Sequence, residues 1–297
     1  MAKLKPNYEL MQSIYDISDD FYELFLGPTM GYTCGYYERS SYTRDEAQLA
    51  KFDLAQGKLK LEPGMTVLDV GCGWGAGMQR ALTNYDINVI GLTLSKTQQS
   101  AAEERLSHVK PHGKHGHWEV RLQGWEEFDG KVDRIMAIGS FEHFRHEKYK
   151  AYFDFCYNAV PDDGIVLLQT ICAYHPDDCL RLGIPLTFEL VRFIKFIITE
   201  IFPGGQLPSE RMIRELAPKS GWTITRTHSL QPHYARTLDD WATALHEHKS
   251  ETIELQGLEA YERFDKYLTG CRDLFRAKKL DINQFTMEKV TSDSGPA

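Results

Sequence analysis

The run Val67-Leu68-Asp69-Val70-Gly71-Cys72-Gly73-Trp74-Gly75 constrains this chain more than any other feature. Val67, Leu68 and Val70 suit a central parallel strand covered on both faces. Gly71, Gly73 and Gly75 then let the backbone turn sharply and approach a ligand closely, because no Cβ intervenes. A helix is expected from about Ala76, with its first amides facing that ligand. No Gly-Lys-Ser/Thr follows, so the run is not a phosphate-binding P-loop, and its last glycine comes too early for G-x-G-x-x-G. The competing reading is a purely structural strand-to-helix turn.

The same strand–helix alternation continues. Strands are expected near 66–70, 88–93, 117–122, 132–138, 164–171, 222–229 and 282–288, with helices between them. That order predicts an α/β fold, with a mostly parallel seven-stranded sheet and helices on both faces. Ligands of such sheets bind at the carboxyl ends of the strands. Residues 1–60 read as helical, with start signals at Ser18-Asp19-Asp20 and at Thr43-Arg44-Asp45-Glu46. They are expected to form a lid on a core domain of residues 61–289. Residues 173–220 interrupt the alternation, and Leu190–Phe202 is apolar nearly all round, so that segment is either deep core or the wall of an apolar cavity. It is the candidate cap. Residues 290–297 read as a frayed tail.

With 42% hydrophobic and 26% charged residues, the chain has ordinary globular composition. A net charge of −8 argues against nucleic acid as a partner. The six cysteines form no CxxC pair, which indicates neither a zinc site nor a redox motif. Dispersed cysteines, no apolar signal core and no run of about 20 apolar residues lead to the expectation of a cytoplasmic protein with at most peripheral membrane contact. His108, His112, His115 and His117 match no metal-ligand spacing and read as a polar loop; no metal is expected.

Each expected strand end carries candidate chemistry. After the second comes Gly91-Leu92-Thr93-Leu94-Ser95, where Thr93 replaces the usual ribose-binding acid and Gln98 offers hydrogen bonds one turn later; Thr93 or Ser95 is equally a helix N-cap. After the third, Trp125 and Glu126 suit an adenine, by stacking and by accepting from its amino group, although a core tryptophan is the alternative. After the fourth, Glu142 lies among Ile138, Phe141 and Phe144, where a carboxylate must be paired, ligand-bound or raised in pKa. His143 is a second candidate or a packing residue. Tyr234, after the 222–229 strand, offers a ring face and a hydroxyl, or structural packing.

Taken together, the glycine loop, Gly-Leu-Thr-Leu-Ser, Gly-Trp-Glu, Phe-Glu-His-Phe, Glu-Ile-Phe-Pro-Gly-Gly and His-Tyr-Ala-Arg-Thr-Leu resemble, in one order, the mycolic acid cyclopropane synthase and methyltransferase family of mycobacteria. Tyr15–Phe21 and Tyr267–Cys271 extend the resemblance over about 8–289. It implies a class I, Rossmann-like methyltransferase fold with a helical cap over an acyl site, and S-adenosylmethionine as cofactor. By that resemblance Tyr32 and Thr33 would meet the methionine end, and Val67, Asp69, Gly71, Cys72, Gly73, Trp74 and Gly75 would form the main loop. Thr93, Leu94 and Gln98 would hold the ribose region, and Trp125 with Glu126 the adenine. A bicarbonate base would lie near Cys34, the Ile138 backbone, Glu142 and Tyr234, and Cys271 matches a cysteine sometimes given a catalytic role.

One departure stands out. Leu167-Leu168-Gln169-Thr170 carries Gln169 where cyclopropane-forming members typically have histidine, and Gln cannot take up a proton. The implied reaction is methyl transfer to a cis double bond of a long acyl chain, with ring closure, or with water addition giving a methyl-plus-hydroxyl product. A smaller natural product is the alternative substrate. The resemblance implies that an acyl carrier protein presents the chain, and Arg192, Lys195, Arg211 and Arg214 are candidates for a basic docking patch.

Overall fold

The computed structural model describes residues 4–185 and 187–289; the tail expected at 290–297 lies outside them. Three helices, α1 (Tyr8–Tyr15), α2 (Asp19–Leu26) and α3 (Arg44–Gly57), precede the sheet. The alternating part follows as β1 (Thr66–Val70), α4 (Ala76–Asn84), β2 (Asn88–Thr93), α5 (Lys96–Ser107), β3 (Trp118–Leu122), β4 (Arg134–Ile138), α6 (Tyr149–Ala159) and β5 (Ile165–Ala173). Next come α7 (Pro176–Leu182), α8 (Phe188–Phe196), α9 (Glu210–Leu216), β6 (Trp222–Ser229), α10 (Gln231–Glu247), α11 (Lys249–Gln256), α12 (Leu258–Arg276) and β7 (Leu280–Lys289).

The strands form one sheet in the order β3-β2-β1-β4-β5-β7-β6. β3 to β5 run parallel, and β7 enters antiparallel between β5 and β6. Leu68, Ile135, Leu167 and Leu168 are wholly buried, as strands covered on both faces require. β6 is the half-exposed edge and carries a bulge between Ile224 and Arg226, which blunts it. Strand order reverses between β1 and β4, which opens a crevice at their carboxyl ends.

The N-terminal helices start where their caps dictate. Ser18 accepts from Phe21 N–H, and Thr43 with Glu46 forms a complete capping box. An aromatic cluster of Phe21, Tyr22, Phe25, Trp241 and Phe264 ties α2 to α10 and α12. One expectation needs correction. Leu190–Phe202 is not one helix buried all round: α8 ends at Phe196 and a π-helical turn, Ile197–Ile201, follows. Its Val191, Ile194 and Ile198 are exposed, because nothing among the described residues packs on the outer face. Thr269-Gly270-Cys271 lies inside α12, where Gly270 lets the Phe193 ring approach.

Among the described residues, no helix is long and apolar enough to cross a membrane, and no His, Cys, Asp and Glu group could hold a metal. His115 instead pairs with Asp86 at 3.0 Å in the histidine-rich loop.

Candidate active site

Two cavities meet above the carboxyl ends of β1 and β4. The first, of about 180 Å³, runs across the strand ends from Trp125 and Glu126 past Thr93, Leu94 and Gln98 to Asp69, Gly71, Cys72, Gly73 and Trp74. The second, of about 430 Å³, is mainly apolar and lies between α8, the π turn, α10, α12 and the ends of β5 and β7. Tyr15, Tyr32, Thr33, Gly139 and His143 line both.

The first cavity exists because the glycine loop turns as expected. Gly71 has φ +83°, and a Cβ there would lie 2.4 Å from Ser140 Cβ. Gly73, at φ +53°, faces open space. Thr93 and Ser95 divide the roles the sequence left open: Ser95 caps α5, and Thr93 Oγ1 donates to Gln98 Oε1 at 2.8 Å. The Gln98 NH2 therefore remains on the cavity wall without a partner among the described residues. Trp125 is both core and lining: its ring packs on Phe144, Tyr152 and Phe155 while its Nε1 is unpartnered. Glu126 accepts from Lys148 Nζ at 2.7 Å. Val67 and Gly75 do not line the cavity. Val67 points into the core beside α3 and α4, and Gly75 is the N-cap of α4, pressed on Ala102. Ile138 lines the cavity with the backbone turn that follows β4.

The N-terminal helices close over this cavity through polar ties. Gln12 Nε2 donates to Leu94 O at 3.1 Å, Ser95 donates to Asp16, and Trp74 Nε1 donates to Asp19 at 2.6 Å. Sequence reasoning missed these contacts.

The second cavity holds Glu142, Tyr234 and Cys271. Glu142 Oε1 accepts from Ile171 N–H at 2.7 Å, and Oε2 has no partner among the described residues. Burial pushes its carboxyl up to about 7 against the pull of the Ile171 N–H. The Tyr234 ring packs on Phe275, and burial holds its hydroxyl well above the usual range, so it stays protonated. His143 Nε2 lies 2.9 Å from the Tyr15 hydroxyl, and burial pulls its pKa down to about 4, which keeps it neutral. Burial raises Cys271 to about 12; no neighbour activates it as a nucleophile.

Cys34 and Gln169 line neither cavity. Cys34 is wholly buried in the apolar cluster with Tyr234, its thiol bonded to backbone carbonyls and raised in pKa by burial. Gln169 shares a sheet face with Ile171, two residues on in β5. Its Oε1 accepts from Gln284 Nε2 at 2.9 Å, and its Nε2 is buried without a partner among the described residues. Lys58 in turn donates to Gln284 Oε1 at 2.5 Å. An ammonium can only donate, so this chain fixes both amides and leaves Gln169 presenting N–H groups.

The comparisons agree with this geometry. The family model "Mycolic acid cyclopropane synthetase" matches residues 2–285. Cyclopropane mycolic acid synthase 1 of Mycobacterium tuberculosis is 53% identical over 287 residues, covering 97% of this chain and 99% of the relative. Methoxy mycolic acid synthase MmaA3 of the same species is 52% identical over 288 residues, covering 97% of each chain. The crystal structure of mycolic acid cyclopropane synthase CmaA1 complexed with SAH and CTAB superposes with a TM-score of 0.92, with 53% identity over 96% of this chain and 99% of that one. The sheet order, the glycine loop at the β1 end and these matches agree: the fold is that of class I S-adenosylmethionine-dependent methyltransferases, and the chain belongs to the mycolic acid cyclopropane synthetase family.

Proposed function

We propose that this protein transfers the methyl group of S-adenosylmethionine to a cis double bond of a long, mycolic-type acyl chain. The observation that carries this is the junction of a glycine-walled polar cavity with a larger apolar one, with a lone carboxylate oxygen of Glu142 beside the junction. The structure of the relative CmaA1 is named as a complex with SAH, the spent cofactor, which supports the same assignment of the first cavity.

The chemistry follows from the surroundings. An alkene is a poor nucleophile, so it must be aligned with the S–CH₃ bond in a dry site. The apolar walls of Phe193, Ile197, Phe202 and Leu274 exclude water and hold the alkyl chain. Attack leaves a carbocation beside the methylated carbon. The rings of Tyr15, Tyr32, Tyr234 and Tyr267 surround that volume, and each well-placed ring contributes about 0.5–2 kcal/mol by cation–π attraction.

A bicarbonate ion fits the residues present. Glu142 Oε2 is an acceptor for the ion's O–H with no partner among the described residues, and the protonated Tyr234 hydroxyl in the same cavity is a donor for an anionic oxygen. With the Ile138 backbone at the edge of the neighbouring cavity, these two residues would hold it, while Cys34 and Gln169 stand behind the walls. Bound there, the ion supplies the base for a proton of the added methyl group. Gln169 itself cannot take that proton, and neutral His143 is turned to Tyr15. This departure keeps the methyl-plus-hydroxyl product as the second outcome, in line with the methoxy mycolic acid synthase relative.

The helices of residues 1–60 serve as a lid: Asn7, Leu10 and Met11 of this segment line the cofactor cavity. The segment near 173–220 caps the acyl cavity. An acyl carrier protein presents the chain, and Arg192 and Lys195 on α8 form no ion pair among the described residues, so they suit its acidic surface. Arg211 and Arg214 drop out of that patch, because Arg211 pairs with Asp178 and Arg214 with Glu210.

The deciding experiment incubates the protein with S-adenosylmethionine and a carrier-bound cis-unsaturated long acyl chain, and measures product mass. A gain of one CH₂ is expected, with NMR showing the ring. A gain of CH₂ plus water identifies the oxygenating outcome. No gain with cofactor bound overturns the acyl assignment.

A further inference from the structure

Arg145 holds a backbone conformation that its side chain disfavours. It sits at φ +68° and ψ +145°, a region nearly confined to glycine, in the turn between β4 and α6 that carries Glu142. Its own side chain does not account for this, because the guanidinium pairs only with exposed Glu147, at 2.9 Å. The turn must be held by other groups.

One residue supplies most of them. Gln206 lies in the stretch between the π turn and α9, and it lines the acyl cavity together with Glu142 and His146. Gln206 N–H donates to Glu142 O at 2.9 Å. Gln206 Oε1 accepts from His146 N–H at 2.9 Å, and Gln206 O accepts from the Tyr149 hydroxyl at 2.7 Å. These contacts straddle Arg145: Glu142 precedes it, and His146 and Tyr149 follow. The stretch that carries Gln206 is itself tied to the sheet, where Pro208 O accepts from Ala173 N–H at 2.9 Å at the end of β5. Two residues earlier on that strand, Ile171 N–H holds the Glu142 carboxylate. Glu142 is therefore gripped at both ends, its Oε1 by β5 and its backbone carbonyl by Gln206.

The His146 N–H is the first donor after the strained residue, and it depends on the Gln206 side chain alone. Without that acceptor the strain at Arg145 is released by rotation toward negative φ, which turns the peptides leading back to Glu142. We propose that Gln206 is a positioning residue for the reaction: its side-chain carbonyl clamps the strained turn at Arg145, and that turn aims Glu142 Oε2 into the acyl cavity. This rests on the reading of Glu142 as the group that serves the methylated chain.

The test uses Gln206→Leu, which removes the acceptor at nearly constant size, alone and combined with Arg145→Gly. Glycine adopts positive φ readily, so the turn keeps its shape without the clamp. Methyl transfer to the carrier-bound chain is measured where denaturant titration shows every variant fully folded, so that a gain in kcat cannot come from stability. Gln206→Leu is expected to lower kcat by about tenfold while changing KM and S-adenosylhomocysteine affinity by less than about threefold. The double variant is expected to return kcat to within about threefold of Arg145→Gly alone. Wild-type kcat in Gln206→Leu, or a loss that Arg145→Gly does not reverse, overturns the proposal; the latter is what a merely structural contact gives. If Gln206→Leu does not fold, Gln206→Met, which keeps the length without the oxygen, decides by the same comparison. A second readout needs no turnover. Hydrogen exchange at the Ile171 amide, which donates to Glu142, should quicken about tenfold in Gln206→Leu and slow again in the double variant. If the wild-type protein does not methylate the chain, the functional reading fails separately, and the exchange rates still decide for or against the clamp.

Discussion

The Tyr15 hydroxyl and His143 Nε2, 2.9 Å apart and 128 residues distant in sequence, join α1 to the turn after β4 where both cavities meet. Burial raises the tyrosine and lowers the histidine, so the hydroxyl donates and the neutral ring accepts. Tyr15→Phe leaves the ring nitrogen buried and unpaired, and should cost about 1–3 kcal/mol in urea unfolding.

His143 also predicts an acid limb. Its folded pKa, about 4, lies below the ordinary value of 6.5, so the unfolded chain binds more protons between those values. Its contribution is present above pH 6.5 and is lost as pH falls toward 4, on the order of 3 kcal/mol in all. His143→Gln should flatten that part of the stability-against-pH curve measured by denaturant titration.

Glu142 acts in the opposite sense. Its folded pKa, about 7, lies above its ordinary 4.5, so the native state holds the proton longer. Stability from this group is full below pH 4.5 and falls as pH rises to 7, again on the order of 3 kcal/mol. Glu142→Gln should therefore gain stability relative to wild type at pH 8 but not at pH 4.5. An unchanged difference between the two pH values would refute the burial argument.

The same substitution probes chemistry. If Glu142 holds or directs the base, Glu142→Gln should lower turnover by a factor of about 10² or more, with S-adenosylhomocysteine affinity changed by less than about threefold. Wild-type turnover in this variant would remove Glu142 from the mechanism.

Gly270→Ala tests the acyl cavity. A Cβ at Gly270 would lie 2.3 Å from the Phe193 ring, which lines that cavity from α8. The helix gains about 1 kcal/mol of propensity, offset by about 1–3 kcal/mol of overpacking. Long-chain turnover should fall severalfold while cofactor affinity, measured by calorimetry, stays the same.

The strands were readable because their apolar runs and glycine stops are local. β1, β2 and β6 begin and end where periodicity places them, and β7 is longer than its apolar run by two residues at the start and one at the end. What no local pattern shows is that β7 inserts between β5 and β6, a matter of long-range pairing. Of the site, Glu142 and the glycine loop stood out because their residue types conflict with their apolar or strand-like setting. Lys51, which lines the first cavity from α3, went unnoticed although the signal was present: a lysine at the buried spacing of Gln48, Phe52 and Ala55 on an amphipathic helix. Cys34 and Gln169 show the reverse. Their assigned place came from family resemblance, and folding puts them behind the cavity walls, reached through Gln284 and the backbone at Leu230.

The shared wall at Tyr15, Tyr32, Thr33, Gly139 and His143 also bears on the order of events in turnover. Beyond that wall the two cavities are bordered by different elements: Asn7 and Met11 of the N-terminal segment line the first, Ile194 and Ile198 of the α8 region the second. On the proposed reading, donor and lipid occupy separate chambers, so that exchange of one does not require release of the other.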